Sequence, residues 1–236
     1  MRQNIIEVKD LNVSYDKDIA LENINIEIPS GVRCAIIGPN GSGKSTLLKS
    51  ILGLKNIDKG EIKVFGENIG SVNSKIAYVP QKSTVNWNFP ITVLDVVMMG
   101  RYSKKGLCVK NKSLDKEIAI SALKEMKMEN FVNRHISELS GGQKQRVFIA
   151  RALAQDADLY LLDEPLTGVD IKTEEIIQNI FIELQKKGKT IVSVHHNLYT
   201  IDKYFDYLIV LNKTLKKIGW VEDSNPEEYI QLAFKG

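Results

Sequence analysis

Residues Gly38-Pro39-Asn40-Gly41-Ser42-Gly43-Lys44-Ser45 fit the spacing G-x-x-x-x-G-K-[ST]. The chemistry that needs this spacing is the holding of a polyphosphate. Glycines let the backbone curl until successive N–H groups point inward at phosphate oxygens, and the helix that follows offers its positive N-terminal end. In such a loop Lys44 reaches the β- and γ-phosphates, the Ser45 hydroxyl ligates Mg²⁺, and Thr46 closes the nucleotide-binding segment. The bland alternative is a glycine-rich turn joining strand to helix, and the complete spacing argues against it.

A second reactive pair is Asp163-Glu164, which follows the apolar run Leu159-Tyr160-Leu161-Leu162. Ligands of open α/β sheets bind at the carboxyl ends of parallel strands, so two acids there are placed to serve a cation and a water. Asp163 can hold Mg²⁺, and Glu164 can polarise a water for in-line attack on a γ-phosphorus. A third segment, Leu139-Ser140-Gly141-Gly142-Gln143, precedes Lys144-Gln145-Arg146 and a helical stretch. The Ser140 hydroxyl and the N–H groups of Gly141 and Gly142 at a helix start make a further phosphate-binding surface; the bland alternative, that Ser140 is only a helix cap with a glycine turn, is argued against by the other motifs.

These residues need rigid elements behind them. Ile5 to Val13 and Ala20 to Ile28 alternate apolar and polar residues, which predicts half-buried antiparallel strands. Arg33 to Ile37 is almost continuously apolar, as in a strand buried on both faces, and a helix from Lys44 to Leu54 follows the loop. A short strand at Lys75 to Val79 leads to Pro80 and Gln81, and residues 83 to 90 read as a loop. From Val93 to about Arg134 the spacing is helical, with a break at Tyr102 to Ser113. Then come a helix from about Gly142 to Gln155, a strand at Leu159 to Leu162, a helix at Lys172 to Lys187 and a strand at Thr190 to Val194. The alternation predicts an α/β fold: a phosphate-loop core with a parallel sheet, an N-terminal antiparallel β region and a helical insertion.

The chain has 236 residues, 43% hydrophobic and 26% charged, which is the profile of a folded globular protein. Its 32 basic and 29 acidic residues are intermixed and leave a net charge of +3, so no basic stripe argues for nucleic acid. Two cysteines far apart, Cys34 and Cys108, suit a reducing compartment. The N-terminus lacks a signal-peptide profile, and no apolar run approaches the roughly 20 residues that span a bilayer, so any membrane role is expected to be peripheral. The stretch after Val210 is too short for a further regulatory domain.

The Leu139 to Gln143 segment resembles the signature motif of ABC transporter ATPases, and the resemblance runs over essentially the whole chain with the other motifs in the expected order. It implies one ABC ATPase domain over residues 1–236, with the antiparallel β region at about 1–30, the α/β core at about 31–82 and 157–236, and the helical insertion at about 83–156. It implies ATP and Mg²⁺ as ligands and a head-to-tail homodimer, in which the signature of one subunit closes over the γ-phosphate held by the other. Ser140, Gly141, Gly142, Gln143 and Asp170 would then serve the nucleotide of the opposite subunit. Tyr15 matches the aromatic residue that stacks on adenine, and Gln81 the glutamine that senses the γ-phosphate and Mg²⁺. Thr167-Gly168-Val169-Asp170 matches the loop that crosses between subunits, although Ser-Ala-Leu-Asp is its more familiar form. Of His195 and His196, the alignment favours His196 as the residue that contacts the γ-phosphate, with Asn197 where an aspartate is usual.

The segment Val85 to Tyr102 resembles the permease-contact region of manganese, zinc and iron importers. Its Trp-x-Phe-Pro part is closer to the manganese and zinc branch, while Val-x-Asp-Val-Val-x-x-Gly-Arg also occurs in siderophore and cobalamin importers. Trp87 and Phe89 are expected to dock on a permease helix by apolar burial, whereas Met98, Met99 and the nearby valines read as helical core. The resemblance thus implies an ATP-hydrolysing subunit on the cytoplasmic face of the membrane, bound to integral permease subunits and served indirectly by an extracytoplasmic metal-binding protein. The transported ion is not expected to bind this chain. A siderophore or cobalamin importer is the alternative, and a soluble ABC ATPase without a permease a more distant one.

Overall fold

A computed structural model of the chain describes residues 3–81, 90–105, 112–225, 228–229 and 231–232. In chain order the strands are β1 (Asn4–Tyr15), β2 (Asp18–Pro29), β3 (Arg33–Ile37), β4 (Lys59–Val64), β5 (Ile76–Val79), β6 (Leu159–Leu162), β7 (Thr190–Val194), β8 (Tyr207–Asn212) and β9 (Thr214–Trp220). The α-helices are α1 (Lys44–Ile51), α2 (Ile69–Val72), α3 (Val93–Lys105), α4 (Lys112–Glu125), α5 (Gly141–Gln155), α6 (Ile171–Lys186) and α7 (Ile201–Tyr204). The chain forms two compact units, Met1–Asn73 with Phe181–Gly236, and Ser74–Ile180.

In the first unit, β2, β1 and β4 make an antiparallel sheet. Its buried face follows from the period-2 pattern: Ile6, Val8, Leu11 and Val13 face inward opposite Ile28, Ile26, Ile24 and Leu21. The pairing slips between Val8 and Leu11, where Asp10 takes a left-handed backbone and donates its N–H to Asn25. That bulge keeps Leu11 on the buried face despite the even spacing's failure there. β3 lies between β7 and β8, parallel to both, and β9 closes antiparallel on β8. Cys34 to Ile37 are fully buried, as a central parallel strand covered on both faces requires. Beyond β8, Ile201, Tyr204, Phe205, Val221 and Tyr229 complete a cluster with Ala35, Ile37, Leu208 and Val210.

In the second unit, β5 and β6 run parallel with Val79 opposite Leu162. The open edge of β5 is covered by α5: the Arg151 guanidinium donates to the Tyr78 carbonyl at 2.8 Å and the Gln155 amide to the Ile76 carbonyl at 2.7 Å. Residues 151 and 155 share one helix face and residues 76 and 78 one strand edge, so the 3.6 and 2.0 periods mesh. α3 lies against α5 at Gly100, where a Cβ would collide with the Arg151 carbonyl. The neighbouring Arg101 is buried, donating to Asp115 of α4 at 3.0 Å and to the Ala154 carbonyl of α5 at 2.6 Å.

The predicted antiparallel pair, the phosphate-loop unit, α5, β6, α6 and β7 fall within a residue or a few of their expected bounds. Three strands, β4, β8 and β9, extend the sheets beyond the expectation. Met99 is 44% exposed and departs from the expected helical core, whereas Val93, Val96 and Val97 are buried.

Candidate functional site

The phosphate loop leaves β3 at Ile37. At Gly38 a Cβ would collide with the Leu211 carbonyl, so only glycine admits this approach of the loop to β8. Gly43, with φ of 96°, precedes α1 and gives it no side-chain cap. A Cβ there would lie 2.7 Å from the Ala20 carbonyl of β2. The helix therefore starts without a side chain over its positive end, the arrangement that suits an incoming anion. Lys44 is 6% exposed, and its ammonium donates to the Gly38 carbonyl at 2.9 Å and the Pro39 carbonyl at 2.7 Å. It is held over the loop's own carbonyls. Pro39 and Asn40 lie in the loop between Gly38 and Gly41, and Ser42, Ser45 and Thr46 belong to the same loop-to-helix junction.

In the same unit Tyr15 ends β1, 44% exposed, with the Lys55 ammonium 4.1 Å from its ring centre. β7 pairs with β3 so that Val194 stands opposite Ile36, and the His195 N–H donates to the Ile36 carbonyl at 3.0 Å. This register brings the histidines to the sheet end from which the phosphate loop departs. They differ sharply. His195 is buried, with Nε2 2.8 Å from the Thr200 hydroxyl and its ring 4.9 Å from that of Phe205. Burial pushes its pKa down to about 4, so it is neutral at physiological pH. His196 is exposed.

In the second unit the buried Asp163 donates its N–H to the Val79 carbonyl at 2.9 Å, so β5 and β6 end at the same level, and the half-buried Gln81 follows two residues past Val79. Burial, with the Asp163 carboxylate adding to it, pushes the nearby Tyr78 hydroxyl up to about 12. Glu164 sits at φ of 53°, a left-handed backbone that is sparsely populated by side chains of its size. Its carboxylate accepts from the Thr167 hydroxyl at 3.3 Å. Within this unit Asp163 offers carboxylate oxygen and Gln81 amide oxygen, hard donors whose chemistry suits Mg²⁺. Among the described residues, no group of three or more His, Cys, Asp or Glu side chains could hold a metal ion.

Ser140 is the N-cap of α5: its hydroxyl accepts from the Gln143 N–H at 3.3 Å, and the Gln143 side chain accepts from the Ser140 N–H at 2.9 Å. The cap reading is thus physically realised, and it fixes Gly141 and Gly142 as the first helical residues. Asp170 caps α6 in the same way, accepting from the Thr173 N–H and hydroxyl, each at 2.9 Å. Those bonds hold its carboxyl below the usual carboxylate range. Trp87 and Phe89 lie outside the described residues. Lys55 escaped the sequence reading, which named Thr167 only as part of the loop that crosses between subunits and not for its bond to Glu164.

Among known proteins, the ABC transporter family profile matches residues 21–167. The chain is 48% identical to the zinc transport system ATP-binding protein TroB of Treponema pallidum (strain Nichols), over 98% of this chain and 87% of that protein. It is 44% identical to the manganese transport system ATP-binding protein MntB of Bacillus subtilis (strain 168), over 98% of this chain and 92% of that protein. Among solved structures it is similar to a dimeric ATP-binding cassette in a post-hydrolysis state bound to ADP and phosphate, with a TM-score of 0.80 and 29% identity, over 92% of this chain and 98% of that one. Among the described residues, no helix is long and apolar enough to cross a membrane.

Proposed function

This chain belongs to the ABC transporter family, and we propose that it is the ATP-hydrolysing subunit of a divalent-metal importer whose cargo is manganese or zinc. The observation that carries the cargo is the identity of 48% and 44%, over nearly the whole chain, to ATP-binding proteins named for zinc and manganese transport. The chain acts as one ATPase domain at the cytoplasmic face of the membrane. It is paired head to tail with a second copy and docked on integral permease subunits through the segment that holds Trp87 and Phe89, and a separate extracytoplasmic protein delivers the metal.

In this reading Tyr15 stacks on adenine, and the loop from Gly38 to Thr46 wraps the phosphates with Lys44 on their β- and γ-oxygens. Ser45, Gln81 and Asp163 would hold Mg²⁺, which would supply neutralisation of the phosphate charge. Glu164 accepts a proton from the attacking water, and His196 contacts the γ-phosphate. Ser140 to Gln143 and Asp170 serve the nucleotide of the partner subunit. The test is metal content in cells lacking the gene, complemented with the wild type or with Lys44→Ala. A manganese or zinc deficit rescued only by the wild type is the expected result. Normal manganese and zinc in the deletion strain would sink the cargo assignment and leave the ATPase assignment standing.

A further inference from the structure

The turn after Glu164 is built to aim that side chain. Glu164 holds a left-handed backbone, and its carbonyl accepts from the Thr167 N–H at 3.3 Å while its carboxylate accepts from the Thr167 hydroxyl at 3.3 Å. Thr167 therefore grips the residue at both ends. From Thr167 the chain passes through Gly168, at φ of 73°, to Asp170, whose carboxylate is fixed by Thr173 on α6. The Gly168 carbonyl also faces the start of α5, where a Cβ on Gly142 would lie 3.7 Å away in ordinary contact. The segment is thus anchored at α6, rests on the first turn of α5 and ends in a hydroxyl on the Glu164 carboxylate.

We propose that Thr167 is a positioning residue: its hydroxyl orients the Glu164 carboxylate toward the attacking water. This rests on the reading of Glu164 as the group that takes the water's proton. A two-oxygen carboxylate uses one oxygen for the water, and a donor on the other fixes the plane in which the first one points. A misaimed base lowers the rate of the chemical step and leaves the hold on ATP intact.

The experiment uses the full chain assembled with its permease and measures steady-state ATP hydrolysis. Thr167→Val, which keeps the shape and loses the hydroxyl, is expected to lower kcat about 10-fold or more with the KM for ATP within about 2-fold. Thr167→Ser, which keeps a hydroxyl, restores most of the rate. Direct ATP titration of the Thr167→Val variant checks that it is folded. The double variant with Glu164→Gln is expected to be no slower than Glu164→Gln alone, because Thr167 acts through that carboxylate. A wild-type kcat in Thr167→Val, an equal loss in Thr167→Ser, or an additive loss in the double variant overturns the role of Thr167. Full turnover in Glu164→Gln overturns the assignment of Glu164 beneath it.

Discussion

His195 and His196 are adjacent in the chain and opposite in environment, because the residue just past the buried strand β7 still faces the core and the next one leaves it. His195 must stay neutral to remain buried beside Phe205 and Thr200, and its pKa falls from 6.5 to about 4. The unfolded chain takes up a proton on this histidine as pH drops below about 6.5, while the folded chain resists until about 4. Stability from this residue is therefore complete above about 6.5 and is lost progressively down to about 4, a loss of roughly 3 kcal/mol by linkage. Urea unfolding at pH 7.5 and pH 5 should show the wild type losing stability across that interval and His195→Gln losing much less. An equal loss in both would mean that other groups carry the acid sensitivity. His196→Ala should unfold at the wild-type urea concentration and hydrolyse ATP about 10-fold or more slowly, as expected for a residue that contacts the transferred phosphate. A greater rate loss in His195→Ala than in His196→Ala would reverse the assignment.

Among the elements, α3 meets α5 in a close backbone approach at Gly100 and is tied to α4 by a buried ion pair. Arg101 and Asp115 are both buried, so removing the carboxylate alone strands a charge, and Asp115→Ala should cost about 3–5 kcal/mol of unfolding free energy. Asp115→Ala with Arg101→Met removes both charges and should recover a large part of that loss, measurable by urea unfolding. A double variant as unstable as the single one would show that the pair's bond to the Ala154 carbonyl matters more than its charge balance. The elements differ in how openly the sequence announces them. β3, β6 and β7 carry short apolar runs next to chemical motifs, and α5 begins with its own capping box. β4 starts on the exposed Lys59, Gly60 and Glu61 and buries only Val64 fully, so pairing with β1 more than its own pattern creates it. β8 has the run Leu208 to Leu211 as a usable signal, whereas β9 is half-buried along its length and depends on the tight turn at Lys213. In the candidate site the phosphate loop, the acid pair and the signature were legible because each needs glycine or carboxylate at fixed spacing. The grip of Thr167 on Glu164 was not, because it depends on a left-handed backbone that no side-chain pattern reports.

The whole molecule carries two segments that the proposed function assigns to phosphate, the loop before α1 in one unit and the start of α5 in the other. A chain that works alone has no evident use for both, and a pair of chains working head to tail uses every one of them on two nucleotides. ATP should then act as the adhesive of the dimer, and hydrolysis should dissolve it. Glu164→Gln, which changes shape little and is expected to block turnover, should accumulate a dimer in the presence of ATP and Mg²⁺ and return to monomer when the nucleotide is removed. Gly142→Asp places a negative charge at the first turn of α5, where the partner's phosphate is expected, and costs little within its own subunit because the nearest contact there is ordinary. Combined with Glu164→Gln it should still bind ATP through the phosphate loop yet sediment as a monomer. Sedimentation of the two variants with and without ATP separates the possibilities: a persistent dimer in the Gly142→Asp background would place the dimer interface away from the signature and refute the head-to-tail arrangement.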